Sequence, residues 1–139
     1  MTSPITDALQ QEWITLHNQY DSYEKFSLVI KLASAAICSL VIFHEKLDFV
    51  IVGLCLVMWM LDAIWKTFQS RISDRLLLLE AAIKRHDGVP MQLHSDWLEN
   101  RPSVIDLVIG YIKGALTPTV MLPHSAIVGI AVVVAGWFN

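Results

Sequence analysis

Three long apolar runs, Phe26 to Phe43, Phe49 to Trp65 and Val120 to Phe138, dominate this chain. Each approaches the ~20 residues of helix needed to cross a bilayer core ~30 Å thick at 1.5 Å per residue. With 139 residues in all, little chain is left over for a separate soluble domain. Composition agrees: 55% of residues are hydrophobic and 17% charged, against roughly half and a quarter in a typical soluble domain. The mean hydropathy is +0.52. The expected fold class is an all-α integral membrane protein forming a single domain over 1–139. It comprises a long antiparallel helical hairpin with a cytoplasmic coiled-coil extension, an interfacial amphipathic helix and a third, C-terminal span.

The extension follows from periodicity. Ser3 and Pro4 read as a helix start, a hydroxyl cap followed by proline in the first turn. Apolar residues then recur at Ile5, Leu9, Trp13, Leu16, Tyr20 and Tyr23, the three- and four-residue steps of one helical stripe. No breaker intervenes before Phe43, so one helix is predicted from about Pro4 to Phe43. Beyond the second run the pattern continues through Trp65, Phe68, Ile72, Leu76, Leu79 and Ile83, until Gly88 and Pro90 stop it. Lys66, Gln69, Ser70, Arg71, Ser73, Asp74 and Arg75 occupy the opposite, solvated face. The turn His44–Asp48 is short, so the two helices must run antiparallel, pairing residues whose numbers sum to about 92. That places Leu9 by Ile83, Trp13 by Leu79, Leu16 by Leu76 and Tyr20 by Ile72, and the two stripes meet as a coiled coil.

Basic residues set the orientation. Lys66, Arg71, Arg75, Lys84, Arg85, Arg101 and Lys113 lie between the second and third runs, whereas the first turn holds only Lys46. The positive-inside rule puts the N-terminus and the middle segment in the cytoplasm and Asn139 at the outer face. No Lys or Arg precedes Glu24, which argues against a cleaved signal peptide. The expected setting is a cell membrane, specifically a bacterial inner membrane. Trp65 and Trp137 fall at the predicted boundaries, with Trp59 slightly inside, as headgroup anchors.

Two charges interrupt the spans. Register brings Lys31 beside Asp62, and a pair there removes the ~1–3 kcal/mol that either charge would cost alone. Alternatively Lys31 snorkels and Asp62 pairs with Lys66 one turn on. After the polar connector, Ser103 and Asp106 make a capping box before the run Val104 to Leu116, which Thr117-Pro118 breaks. Its polar positions, Asp106, Gly110, Lys113 and Thr117, form one stripe at helical spacing. The stripe faces water if the helix lies flat, or lines an oligomer's axis if the helix enters the membrane. Ser125 with Gly129 and Ala131 with Ala135 are small pairs four apart, a weak sign of close helix approach.

Chemistry-bearing motifs are absent. The five histidines make no recognised metal spacing; His44, Glu45 and Asp48 share the outer turn and read as headgroup-level polar residues rather than a cation site. His86, Asp87, His94 and Asp96 read as solvated connector residues. Cys38 and Cys55 sit mid-span, where thiols behave as small apolar side chains. There is no nucleophile elbow, P-loop or dinucleotide fingerprint, so no enzyme and no cofactor is expected. A formal net charge of −3 without a basic stripe argues against nucleic acid. The expected partners are the lipid bilayer and either copies of the chain or a membrane complex. The expected function is that of a self-associating scaffold or accessory subunit docking through the hairpin. An oligomeric pore, channel-forming or holin-like effector is the alternative. The hairpin layout, over roughly the first two-thirds of the chain, resembles small bacterial membrane effectors of the SLATT type, a resemblance that carries across no functional residue.

Overall fold

A computed structural model describes residues 4–43 and 50–138, with side chains outside the description at 41–43, 135, 137 and 138. These residues form five helices: α1 (Pro4–Phe43), α2 (Val50–Arg85), α3 (Leu93–Glu99), α4 (Val104–Ala115) and α5 (Pro118–Phe138). The Ser3 cap, the turn His44–Asp48 with its Lys46, and Asn139 fall outside the described residues, as do the side chains of Ala135 and Trp137.

Helix α1 runs unbroken from a polar to an apolar half and α2 from an apolar to a polar half, because neither holds an internal proline. They lie antiparallel: Trp13 Nε1 donates to Glu80 Oε1 at 3.1 Å near one end, Gln69 Nε2 donates to the Tyr20 carbonyl at 3.3 Å further along, and Ser27 meets Asp62 beyond that. The polar halves close over one core of Leu9, Leu16, Ile72, Leu76, Leu79 and Ala82, with Trp13, Tyr20, Tyr23 and Ile83 packed against it. Ile5 departs from the stripe assigned to it: it is exposed, and Thr6 is buried instead.

The end of α2 also differs from the glycine stop expected at Gly88. His86, at φ 57°, is the left-handed residue, with its N–H on the Ile83 carbonyl (3.2 Å) and that of Asp87 on the Ala82 carbonyl (3.1 Å). This crossed pair closes the helix two residues early, at a histidine, which enters the left-handed region more readily than most side chains. Gly88 follows at φ 125°, where a Cβ would lie 2.8 Å from that of Ala82.

The polar connector holds α3; Gln92 precedes the helix and supplies no side-chain cap. Ser103 caps α4, accepting from the Asp106 N–H at 3.2 Å and donating to Asp106 Oδ2 at 2.7 Å. Helix α4 then packs on α2 through Gly114. A Cβ there would meet the Ala63 carbonyl oxygen at 2.9 Å and Thr67 Oγ1 at 3.0 Å, so only glycine permits this approach. At Thr117 the chain turns by 70° into α5, whose first residue, Pro118, has no N–H to lose.

Among the described residues one helix, α2, is long and apolar enough to cross a membrane, and the bent pair α4–α5 qualifies if counted as one span. The separate third span expected over Val120 to Phe138 therefore stands here as the second arm of a bent pair. The first apolar run ends on residues whose side chains lie outside the description.

Candidate functional site

The apolar half of the bundle contains one buried polar cluster, assembled from three helices. Asp62, on α2, is wholly buried and accepts hydrogen bonds from both neighbouring helices. From α1, Ser27 donates to Oδ1, and Lys31 places its ammonium 3.0 Å from Oδ2 while donating to Ser27 Oγ. Helix periodicity puts Ser27 and Lys31 four apart on one face. From α5, His124 Nε2 lies 3.1 Å from the same Oδ2. A carboxylate only accepts, so the ring nitrogen facing it carries the hydrogen. The His124 ring is also wholly buried, stacked at 9° on Trp59 with centroids 6.2 Å apart. Its Nδ1 and Ser34 Oγ, one turn beyond Lys31, have no hydrogen-bond partner among the described residues. A carboxylate is costly to bury, and three donors on two oxygens are what makes this placement tolerable.

Of the two arrangements open to Lys31 and Asp62, the structure has the cross-helix one; Lys66 instead contacts Gln69 Oε1 at 2.7 Å and Glu24 at 4.0 Å. His124 is the member with no periodic signal pointing to it. The signal available was chemical: a histidine inside an apolar run needs a polar partner, and Asp62 is the only acid inside the three runs.

Beyond this cluster Cys38 and Cys55, both free and buried, pack with Ile51 and Ala131. Ala131 thus serves contact within the chain, whereas Gly129 has open space around it. At the other end of the cluster, a groove of about 370 Å³ leads in from the surface past Lys25, Lys31, Lys66, Ser27, Gln69 and Thr119. Lys31 retains 18% side-chain exposure at its floor.

Asp106, Gly110 and Lys113 share one face of α4 by their spacing, and Thr117 follows on the same side. Asp106 is exposed at the cap, while Gly110, Lys113 and Thr117 border a groove of about 380 Å³ against Lys66, Thr67 and Ser70 of α2. Thr67 Oγ1 reaches the Gly110 carbonyl at 3.4 Å, and Trp59 Nε1 donates to that of Ala115 at 3.1 Å. The physical reason is Gly114, whose missing side chain turns this face of α4 inward.

In the polar half, Arg75 and Gln69 are buried, contrary to the solvated face assigned to them. Arg75 donates Nε to Glu12 Oε1 (3.0 Å), Nη1 to Asp96 Oδ2 (2.8 Å) and Nη2 to the Val89 carbonyl (3.2 Å). Asp96, read as a solvated connector residue, is therefore engaged, and Glu12 also accepts from the Met91 N–H. One guanidinium joins α1, α2 and the connector, a task suited to its planar fork of donors. Alongside lies a groove of about 520 Å³ walled by Phe68, Leu78, Leu93 and Trp97. Trp97 is flanked by the guanidinium groups of Arg71 and Arg101, 4.8 and 5.7 Å from its ring.

Among the described residues no three His, Cys, Asp or Glu side chains gather as a metal site. His44, Glu45 and Asp48 lie outside the described residues. No family model matches the chain, and neither the curated proteins nor the solved structures contain a significant match to it.

Proposed function

We propose that the chain is a small integral membrane protein of three spans that works without enzymatic chemistry. In this reading it is a self-associating scaffold or accessory subunit, docking through the cytoplasmic part of its hairpin. Membrane insertion is supported by how little of α2's apolar window the protein covers. Only 22% of that window is buried, whereas a core helix of a soluble protein is mostly buried. Leu28 and Leu32 on α1, Leu54 and Val57 on α2, and Val132 and Val133 on α5 are likewise exposed, as lipid-facing residues are. Aromatic packing of Tyr23 and Phe26 on Trp65 marks the headgroup level, with centroids 4.8 and 5.6 Å apart. The excess of Lys and Arg between the second and third apolar runs argues for a cytoplasmic N-terminus and hairpin, and the layout resemblance for a bacterial inner membrane.

The observation that carries the docking reading is apolar surface left exposed outside the hairpin's seam. With the seam residues Leu9, Leu16, Ile72, Leu76 and Leu79 packed together between α1 and α2, Ile14 and Leu77 remain more than half exposed. Apolar side chains on a projecting helix pair suit a further helix with a matching stripe, foremost that of a second copy. Native mass spectrometry in mild detergent tests this. Wild type is expected as an oligomer that Leu77→Lys dissociates, and a clean monomer of wild type overturns the reading.

A pore or channel-forming effector is the second reading, favoured by the 70° bend between α4 and α5, the outline of a re-entrant helix. Against it, Gly110 and Thr117 are half-buried on a groove beside the chain's own α2, although Lys113 on the same groove is exposed. Liposome flux comparing wild type with Lys113→Ala decides, and absence of flux in both removes it.

A further inference from the structure

We propose that the groove of about 370 Å³ between α1, α2 and α5 binds the phosphate of an anionic phospholipid. The inference rests on the membrane placement above and adds a ligand to it. Three ammonium groups, of Lys25, Lys31 and Lys66, border this groove against the carboxylate of Glu24 in its wall and that of Asp62, paired with Lys31 beneath it, in a chain whose formal net charge is −3. The basic character is therefore local.

The donors are also unspent. An ammonium has three hydrogens to give. Lys31 uses two, on Asp62 and Ser27, and keeps part of its surface at the groove. Lys66 gives one to Gln69 Oε1, and its distance to Glu24, 4.0 Å, is long for a hydrogen bond. Lys25 has no hydrogen bond or ion pair among the described residues. Gln69 is itself buried, and by donating to the Tyr20 carbonyl it fixes the oxygen on which Lys66 rests. The Thr119 hydroxyl adds a neutral donor from α5.

Depth and shape select a lipid over a free anion. Lys25 and Lys66 are sequence neighbours of Phe26 and Trp65, an aromatic pair suited to the headgroup level. Leu28 walls the groove, and Leu32, one turn further into the apolar half, is exposed on the same face of α1. A headgroup held by the lysines would lay an acyl chain along those two leucines. Basic pockets between spanning helices on the cytoplasmic side recognise anionic headgroups in this way.

The test is native mass spectrometry of the protein released from nanodiscs of mixed phosphatidylglycerol and phosphatidylcholine, after flotation has shown that it remains with the bilayer. Wild type should retain phosphatidylglycerol preferentially. Each lysine near the surface is worth about fivefold, so Lys25→Gln/Lys66→Gln should weaken retention about twenty- to thirtyfold. Lys25→Arg/Lys66→Arg and the remote, exposed Lys84→Gln should keep it. Equal retention of the two lipids by wild type, or unchanged preference in the Gln variant, overturns the proposal. Displacement of the lipid by inorganic phosphate at comparable concentration overturns it in favour of a free anion. Failure to float removes the membrane placement instead, a result distinct from either.

Discussion

Replacing Asp62 by leucine removes an acceptor that serves three donors on two other helices. Ser27 Oγ keeps Lys31 as a neighbour, but His124 Nε2 has no other partner among the described residues and its ring is wholly buried. An orphaned buried donor costs about 1–3 kcal/mol. Stranding the partner of a buried ion pair costs about 3–5 kcal/mol, but Lys31 is 18% exposed at the groove and can swing its ammonium outward, so only a fraction of that applies. The expected loss for Asp62→Leu is therefore about 3 kcal/mol, most of it from His124 and the remainder from Lys31. Adding Lys31→Met removes the stranded charge and should recover about 1 kcal/mol, a coupling within the usual range for residues in contact. Reversible unfolding in mixed micelles, followed by circular dichroism, measures both variants. If Asp62→Leu unfolds within about 0.5 kcal/mol of wild type, the cluster is not holding α5 to the hairpin and the energetic argument is refuted.

Gly114→Ala should separate α4 from α2, because its Cβ meets the backbone oxygen of Ala63, which has no rotamer to escape through. A cost of about 1–3 kcal/mol is expected. Gly110→Ala, whose nearest neighbour would be 3.8 Å away, should be neutral or slightly stabilising, and thermal unfolding of the two side by side checks the contrast. Arg75→Lys keeps the charge yet cannot span Glu12, Asp96 and the Val89 carbonyl together. It should release the connector, read as faster proteolysis between residues 86 and 103 while the remainder of the chain stays intact.

The polar half of the hairpin was readable because periodicity is a local property. Leu9, Leu16, Ile72, Leu76 and Leu79 recur at helical steps, and a short connection leaves antiparallel pairing as the only outcome. The same rule failed at Arg75 and Gln69, which periodicity assigns to the polar face. That face is not all solvent, since the connector and α3 fold back over it, and a guanidinium with partners on three segments tolerates the burial. Ile5 failed for the opposite reason: it extends the stripe in sequence, but the end of the seam buries Thr6 instead.

By itself, the order of residues determined the helices, the hairpin and the register that sets Lys31 beside Asp62, since all of these depend on spacing along one or two directly connected helices. Only the tertiary structure decided that His124 completes the cluster and that Gly110, Lys113 and Thr117 border a groove beside α2. Both depend on the direction in which α4 and α5 leave the chain, which is set by the close approach at Gly114 and the 70° turn at Thr117. Periodicity says which residues share a face of a helix; what that face meets is fixed by contacts with helices distant in the chain.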